Sequence, residues 1–228
     1  ITLPLVSMSI YSVVAIDLFR SDKLAYVFEA SASVSSSLSR QVESDIKNKL
    51  FKIELILKGY DSKNKKFSEI AQALFEDSKD ILRIKVYEQY ERAWTVQAEL
   101  ETLDKKNTDH ISIETIAHKM ASSIHISTAS IGKIHVFLKN GNQLLACLVD
   151  AQDLFSSFST SGNYLNFLVG PGGNSLMGPN NIKTSFSNWD FFSRLKDLPQ
   201  QTFSGTSPAG DELVVAISTT AINDIKVI

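Results

Sequence analysis

Between residues 34 and 57, Val34, Leu38, Val42, Ile46, Leu50, Ile53 and Leu57 recur at steps of four, four, four, four, three and four. Only an α-helix brings such positions into one stripe. The spacing predicts a long amphipathic helix over 24–60, roughly 50 Å long at 1.5 Å per residue. That exceeds the diameter of a small domain, so the helix is expected to lie along more than one packing unit. Ahead of it, Ile1 to Phe19 is apolar with scattered Ser and Thr and carries no charge before Asp17; Arg20, Asp22 and Lys23 follow at once. A bilayer crossing takes about 20 mostly apolar residues. Residues 1–23 are therefore expected to be the end of a first transmembrane helix and its exit flank, with a signal-peptide core and a buried soluble helix as rival readings. The chain begins at Ile1 and stops at Ile228 inside what reads as a strand. Both ends are expected to be cut from a longer protein.

Within the helix, Ala30 to Ser37 is small and polar. Such a stretch suits either close approach of a second copy's helix or a solvated face. Asp61 to Lys66 is a polar turn, and Phe67 to Phe75 predicts a second, short helix. Then the period changes to two. Leu82, Ile84 and Val86 alternate with Arg83, Lys85 and Tyr87; Trp94, Val96, Ala98 and Leu100 alternate with Thr95, Gln97 and Glu99. This predicts a hairpin with Trp94 on the same apolar face as Ala98 and Leu100. A helix follows, with Ser112 as N-cap and Ile113, Ile116, Ala117 and Met120 as its stripe. Three strands come next, about 124–129, 133–138 and 144–149, the last two turning at Asn140-Gly141. The plan repeats in shortened form. A short helix over 151–158 leads to strands 164–169 and 175–177, then a helix over 187–196, then strands near 202–205, 212–218 and 225–228. The fold class is α+β: a long N-terminal helix packed along two tandem PAS-like antiparallel-sheet subdomains, over 61–150 and 151–228.

Composition removes several function classes. With 23 basic and 25 acidic residues the net charge is −2, which leaves no electrostatic footprint for nucleic acid. The single Cys147 excludes an intrachain disulfide, and its apolar run reads as a buried thiol. His110, His118, His125 and His135 have no Cys or carboxylate at metal-ligand spacing. Residues 170–174 (Gly-Pro-Gly-Gly-Asn) lack the Gly-Lys-Ser/Thr ending of a phosphate loop and read as a hairpin turn. No Gly-x-Ser-x-Gly elbow and no nucleophile–base pair can be named. No catalytic residue, metal site or cofactor is expected.

Three stretches resemble one known family. Residues 144–154 (LLACLVDAQDL) resemble the last distal strand and linking helix of the double Cache (dCache) extracytoplasmic sensors of bacterial transmembrane receptors. Residues 166–177 (NFLVGPGGNSLM) resemble their proximal hairpin. Residues 18–29 (LFRSDKLAYVFE) resemble the membrane-exit flank of such receptors with cyclase or serine-phosphatase outputs. The resemblance implies a membrane-anchored, homodimeric sensor facing the periplasm or the outside of the cell. It would relay a small-molecule ligand to a cyclase, phosphatase, histidine-kinase or chemoreceptor output. Amino-acid-binding members carry a Tyr, then Arg-x-Trp five residues later, and an Asp near the last distal strand. Tyr87, Arg92, Trp94 and Asp150 stand in those places here, although Thr95 replaces an expected aromatic. Arg offers a planar fork for a carboxylate, and Trp and Tyr offer a wall and a hydroxyl. The alternative is a ligand-free module that sets dimer geometry or docks a periplasmic partner. In the second unit Trp189, Phe191, Phe192 and Phe203 are expected to be core.

Overall fold

The computed structural model describes residues 2–91, 93–102, 112–120, 124–130, 132–153, 158, 164–170, 172–179, 184–189, 191–192, 200–222 and 225–228. Helix α1 spans Thr2–Leu57, 56 residues or about 80 Å. It is continuous through the Arg20–Lys23 charge cluster. Among the described residues no helix is long and apolar enough to cross a membrane; Ser9, Ser12 and Asp17 dilute the apolar segment. What α1 does show there is bare apolar surface: Met8, Tyr11, Val13, Leu18 and Phe19 are each at least 60% exposed.

The stripe buries as its spacing predicts from Val42 to Ile53, with Val42, Ile46 and Ile53 at 1% exposure or less; at its end Ile56 is the buried position and Leu57 only partly buried. Upstream the buried row is a different one. Ser31, Ser35 and Ser39 are the buried positions, four residues apart, while Leu38 packs only at the margin. One side of the small stretch therefore faces the chain's own second sheet, while Ser33 and Ser37 stay exposed. Its small side chains let α1 approach the chain's own second sheet, and Ser35 Oγ donates to the Val227 carbonyl at 3.1 Å.

After α1 a short hairpin pairs β1 (Tyr60–Asp61) with β2 (Lys66–Phe67). Its turn closes on the Asp61 carboxylate, which accepts from the Lys63 and Asn64 amides. Helix α2 (Glu69–Asp77) starts two residues later than the pattern suggested, because Phe67 belongs to β2 and Ser68 caps the helix. The first large sheet contains β3 (Ile81–Tyr90), β4 (Ala93–Glu101), β5 (Ile124–Ser130), β6 (Lys133–Asn140) and β7 (Gln143–Asp150), in the order β4-β3-β7-β6-β5. Helix α3 (Ile113–Lys119), capped by Ser112, lies between β4 and β5 in sequence. The β6–β7 loop is Gly141-Asn142, one residue later than expected, since Asn140 pairs with Gln143. Of those two only Gly141 has positive φ (57°), the requirement of a two-residue turn with Gly first.

The second sheet contains β8 (Leu168–Val169), β9 (Ser175–Met177), β10 (Gln200–Thr206), β11 (Glu212–Thr219) and β12 (Lys226–Val227), in the order β10-β11-β12-β8-β9. Numbered within its own unit, each sheet runs third, fourth, fifth, first, second strand. The repeated plan read from the sequence is thus a repeated topology. The expected helix at 187–196 is no α-helix where it is described, at 187–189 and 191–192; residues 190 and 193–196, and residues 154–157 of the expected 151–158 helix, lie outside the described residues. The segment 164–167 is not ladder strand, apart from Phe167 exchanging two backbone bonds with Ile228.

One core joins these parts. Val42, Ile46, Ile53 and Ile56 of α1 pack with Ile84, Val86, Cys147 and Val149 of the first sheet and with Leu168, Met177 and Val227 of the second. Burial pushes the Cys147 thiol far up, so it stays a neutral, inert thiol. A separate aromatic cluster covers the other face of the second sheet: Phe186, Phe191 and Phe192 with partly buried Trp189 and Phe203, as expected of core residues. Gly173 allows its closure. Its φ is +81° and an added Cβ would lie 2.8 Å from Phe192.

Asp80 ties α1 to the start of β3 by accepting from Lys49 (2.8 Å) and Lys52 (3.1 Å). Partial burial works to raise its pKa, but the two lysine hydrogen bonds and charges outweigh it, and the net shift is down. A carboxyl with a folded pKa below its unfolded value of about 3.9 stabilises the fold fully above about pH 5 and loses that effect as pH falls through the folded value. Asp80→Asn is therefore expected to cost about 1 kcal/mol at pH 7, after allowance for solvent screening. It should cost almost nothing near pH 2. Urea melts at the two pH values check this, and an equal loss at both would contradict it.

Candidate functional site

The first sheet has an inner face on α1 and an outer face under α3. Which residues reach the outer face depends on one irregularity. From Arg83 to Val86, β3 pairs with Glu101 to Ala98, but Tyr87 then pairs with Val96, so Gln97 is extra. An extra residue in one strand reverses the facing of everything beyond it. Ala98 and Leu100 thus pack into the inner core, while Trp94 joins Tyr87 on the outer face beside Phe137, Leu144, Ile113 and Ala117. The expectation that Trp94 shares a face with Ala98 and Leu100 is corrected by that bulge.

Along β3, Arg83, Lys85 and Tyr87 line the same outer face. With His135 of β6, Ala146 and Leu148 of β7, and Ile113 of α3 they surround a cavity of about 40 Å³. By volume it holds roughly three water-sized groups, the bulk of a carboxylate. Arg83 is buried, 8% exposed, with Glu101 3.7 Å from its guanidinium. Lys85 pairs with Glu99 at 2.8 Å. Both glutamates sit on edge strand β4, more exposed than the cations they face. Burial raises the Tyr87 pKa, opposed by Arg83 and assisted by Glu99 and Glu114, so the phenol keeps its proton and can donate. Burial lowers the His125 pKa; its ring stacks obliquely on Phe137, as does that of His135. Helix α3 is held over this face by Ile113 and Ala117 and by Lys139, whose ammonium donates to the Ala117 carbonyl at 3.2 Å, at the helix end where a cation is favourable.

Of the four residues singled out from the sequence, Tyr87 and Trp94 come together in one cluster. Arg92 lies outside the described residues. Asp150 stands on the outer face but six residues further along β7 than Leu144, the partner of Tyr87, or about 20 Å away. Its carboxylate accepts from the Gln152 amide at 2.9 Å. The structure adds Arg83, Lys85 and His135. The signal of Arg83 and Lys85 in the sequence is two cations at alternate positions leading to Tyr87, which alternation sets opposite the apolar row without assigning them a role. No group of acidic, Cys and His residues able to hold a metal occurs among the described residues.

No protein-family model matches this sequence, and no curated protein matches it. Solved structures do. The extracellular domain of mmHK1S-Z3, described as a histidine kinase, superposes with a TM-score of 0.57 at 15% identity, over 90% of this chain and 93% of that one. The ligand-binding domain of the Pseudomonas fluorescens chemoreceptor CtaA, in complex with L-isoleucine, gives 0.52 at 14% identity, over 92% of each chain. That of the Campylobacter jejuni chemoreceptor Tlp3, in complex with L-valine, gives 0.53 at 12% identity, over 91% of this chain and 93% of that one. At these identities the likeness establishes the fold. It is a long helix laid along two antiparallel sheets, shared nearly end to end with these extracellular and ligand-binding domains.

Proposed function

We propose that this chain is the extracytoplasmic ligand-sensing domain of a transmembrane signalling protein, and that its ligand is a small molecule carrying a carboxylate. The observation that carries this reading is the convergence of Arg83, Lys85, Tyr87 and His135 on one cavity beneath α3, in a fold shared with amino-acid-bound receptor domains. A carboxylate there meets a planar guanidinium, an ammonium and a phenol donor. Trp94 walls the same face, and Asp150, two residues beyond Leu148, the β7 partner of Arg83, is the candidate for an ammonium if the ligand is an amino acid. The bare apolar stretch of α1 supports anchorage at the membrane, with two copies side by side and the output domain within the cell. A ligand shifts signalling only by binding one conformation more tightly; a hundredfold preference is worth about 2.7 kcal/mol.

One observation favours the second reading, a ligand-free module that sets dimer geometry or docks a periplasmic partner. The cavity, about 40 Å³, admits a whole amino acid only if α3 moves. A thermal-shift screen of carboxylates, amino acids and their amides separates the two. A true ligand at a hundred times its Kd adds about 2.7 kcal/mol, a rise of roughly 5–10 °C for a chain of this size. The carboxylate should act where its amide does not. A flat result across the panel would support the ligand-free module.

A further inference from the structure

Each sheet turns one face away from α1, and on each such face one cross-strand row lies at the same place in the shared topology. In the first sheet the row is His135, Leu148, Arg83 and Glu101, on β6, β7, β3 and β4. Its first three members line the cavity described above. In the second sheet β11, β12, β8 and β9 hold the equivalent places, and the row is Thr219, Lys226, Val169 and Ser175. Val169, Ile217 and Ile228 belong to the aromatic cluster, while Val227 packs in the core on α1. Alternation therefore puts Lys226 and Thr219 on the side of the aromatic cluster.

The two rows differ in charge balance. In the first, the buried cation has Glu101 opposite it on β4. In the second, Ser175 holds that place, and the cation stands one strand over. Lys226 is 6% exposed, and among the described residues no carboxylate pairs with its ammonium. Directly across from it, the Thr219 hydroxyl is buried and has no hydrogen-bond partner among the described residues. A buried ammonium is costly unless an opposite charge meets it, and a buried hydroxyl is costly without a partner. These two groups are one strand spacing apart, about 4.8 Å. One anion accepting from both would offset both costs.

We propose that this face of the second sheet holds a second anion site, at which Lys226 and Thr219 bind the carboxylate of a small monocarboxylic acid. One ammonium balances one charge, and no second cation stands in the row, which disfavours a dianion such as inorganic phosphate. The flanking Val169 and Ile217 are apolar, so the rest of the molecule is a short hydrocarbon tail. The two carboxylate oxygens accept from the Lys226 ammonium and from the Thr219 hydroxyl. The competing account is a lysine stem laid over apolar surface with its head in water, and it predicts no binding. The site takes nothing from the first sheet, so it stands or falls apart from the carboxylate site there.

The test is made in the Arg83→Gln chain, so that the first-sheet site does not contribute, by NMR titration with propionate, propionamide and inorganic phosphate. Propionate is expected to bind saturably, propionamide not at all, and phosphate at least about tenfold more weakly than propionate. Adding Lys226→Met should weaken propionate at least about thirtyfold. Adding Thr219→Val, which keeps the shape of the side chain, should weaken it about tenfold, and this variant decides the matter if Lys226→Met does not fold. The site would be overturned by the absence of saturable propionate binding, by binding that survives both added substitutions, or by equal binding of propionamide. Tighter binding of phosphate would overturn the monocarboxylate as its ligand.

Discussion

Replacing Ile53 by Ala is expected to lower the unfolding free energy by about 2–5 kcal/mol, while Phe51→Ala, two residues away on the same helix, changes it by about 0.5 kcal/mol or less. Phe is the larger side chain, so hydrophobicity alone predicts the reverse order. Position decides: Ile53 is 0% exposed and Phe51 65% exposed. Ile53 belongs to the core that α1 shares with both sheets, and removing it leaves a cavity that a rigid helix cannot collapse to fill. Urea melts check the pair. Both variants should unfold in one transition with the wild-type m-value, Ile53→Ala at a lower midpoint. A split transition in the wild type would contradict a core common to the two sheets.

Arg83→Gln is expected to weaken binding of the carboxylate ligand by about 30–150-fold, the equivalent of roughly 2–3 kcal/mol for a charge-assisted, partly buried contact. Stability should move far less, because Glu101 is partly exposed and keeps its contact with water when Arg83 is replaced, and removing a buried charge relieves its desolvation. Tyr87→Phe should cost about tenfold or less, one neutral hydrogen bond. Titration calorimetry with the best compound from the thermal screen measures both. Unchanged affinity in Arg83→Gln would move the site away from this face of the first sheet. A loss confined to Trp94 and Asp150 variants would place it along the row first read from the sequence.

Much of the architecture was legible because burial is periodic. Helical spacing marked α1 from Val42 to Leu57, and a step of two marked β3 and, up to the irregularity at Gln97, β4. Ser112 and the Gly141 turn announced themselves through local backbone chemistry, the turn only to within one residue. The repeated order of hairpin, helix and three strands led to two sheets of identical topology. The helix expected at 187–196 and the strand expected from 164 were misassigned elements. The misplaced faces share another cause: which of two surfaces a correctly assigned element would present, and to what. The small residues of α1 left a dimer contact or a wet face open, and nothing local says that a sheet some 170 residues later buries Ser31, Ser35 and Ser39. Arg83 and Lys85 went unassigned because alternation separates two faces without saying that α3 covers the second.

The sequence by itself determined the elements, their order and the doubling of the plan, since hydrophobic period, caps and turn residues act over a few neighbours. Tertiary structure alone decided the site. The additional residue at Gln97 turns Trp94 from the inner face to the outer, beside Tyr87. The pairing of β3 with β7, with α3 laid across them, sets Arg83, Lys85 and His135 around one cavity while leaving Asp150 at the far end of its strand. Pairing register is settled by contacts between segments far apart in the chain, and a shift of one residue exchanges the two faces of a strand.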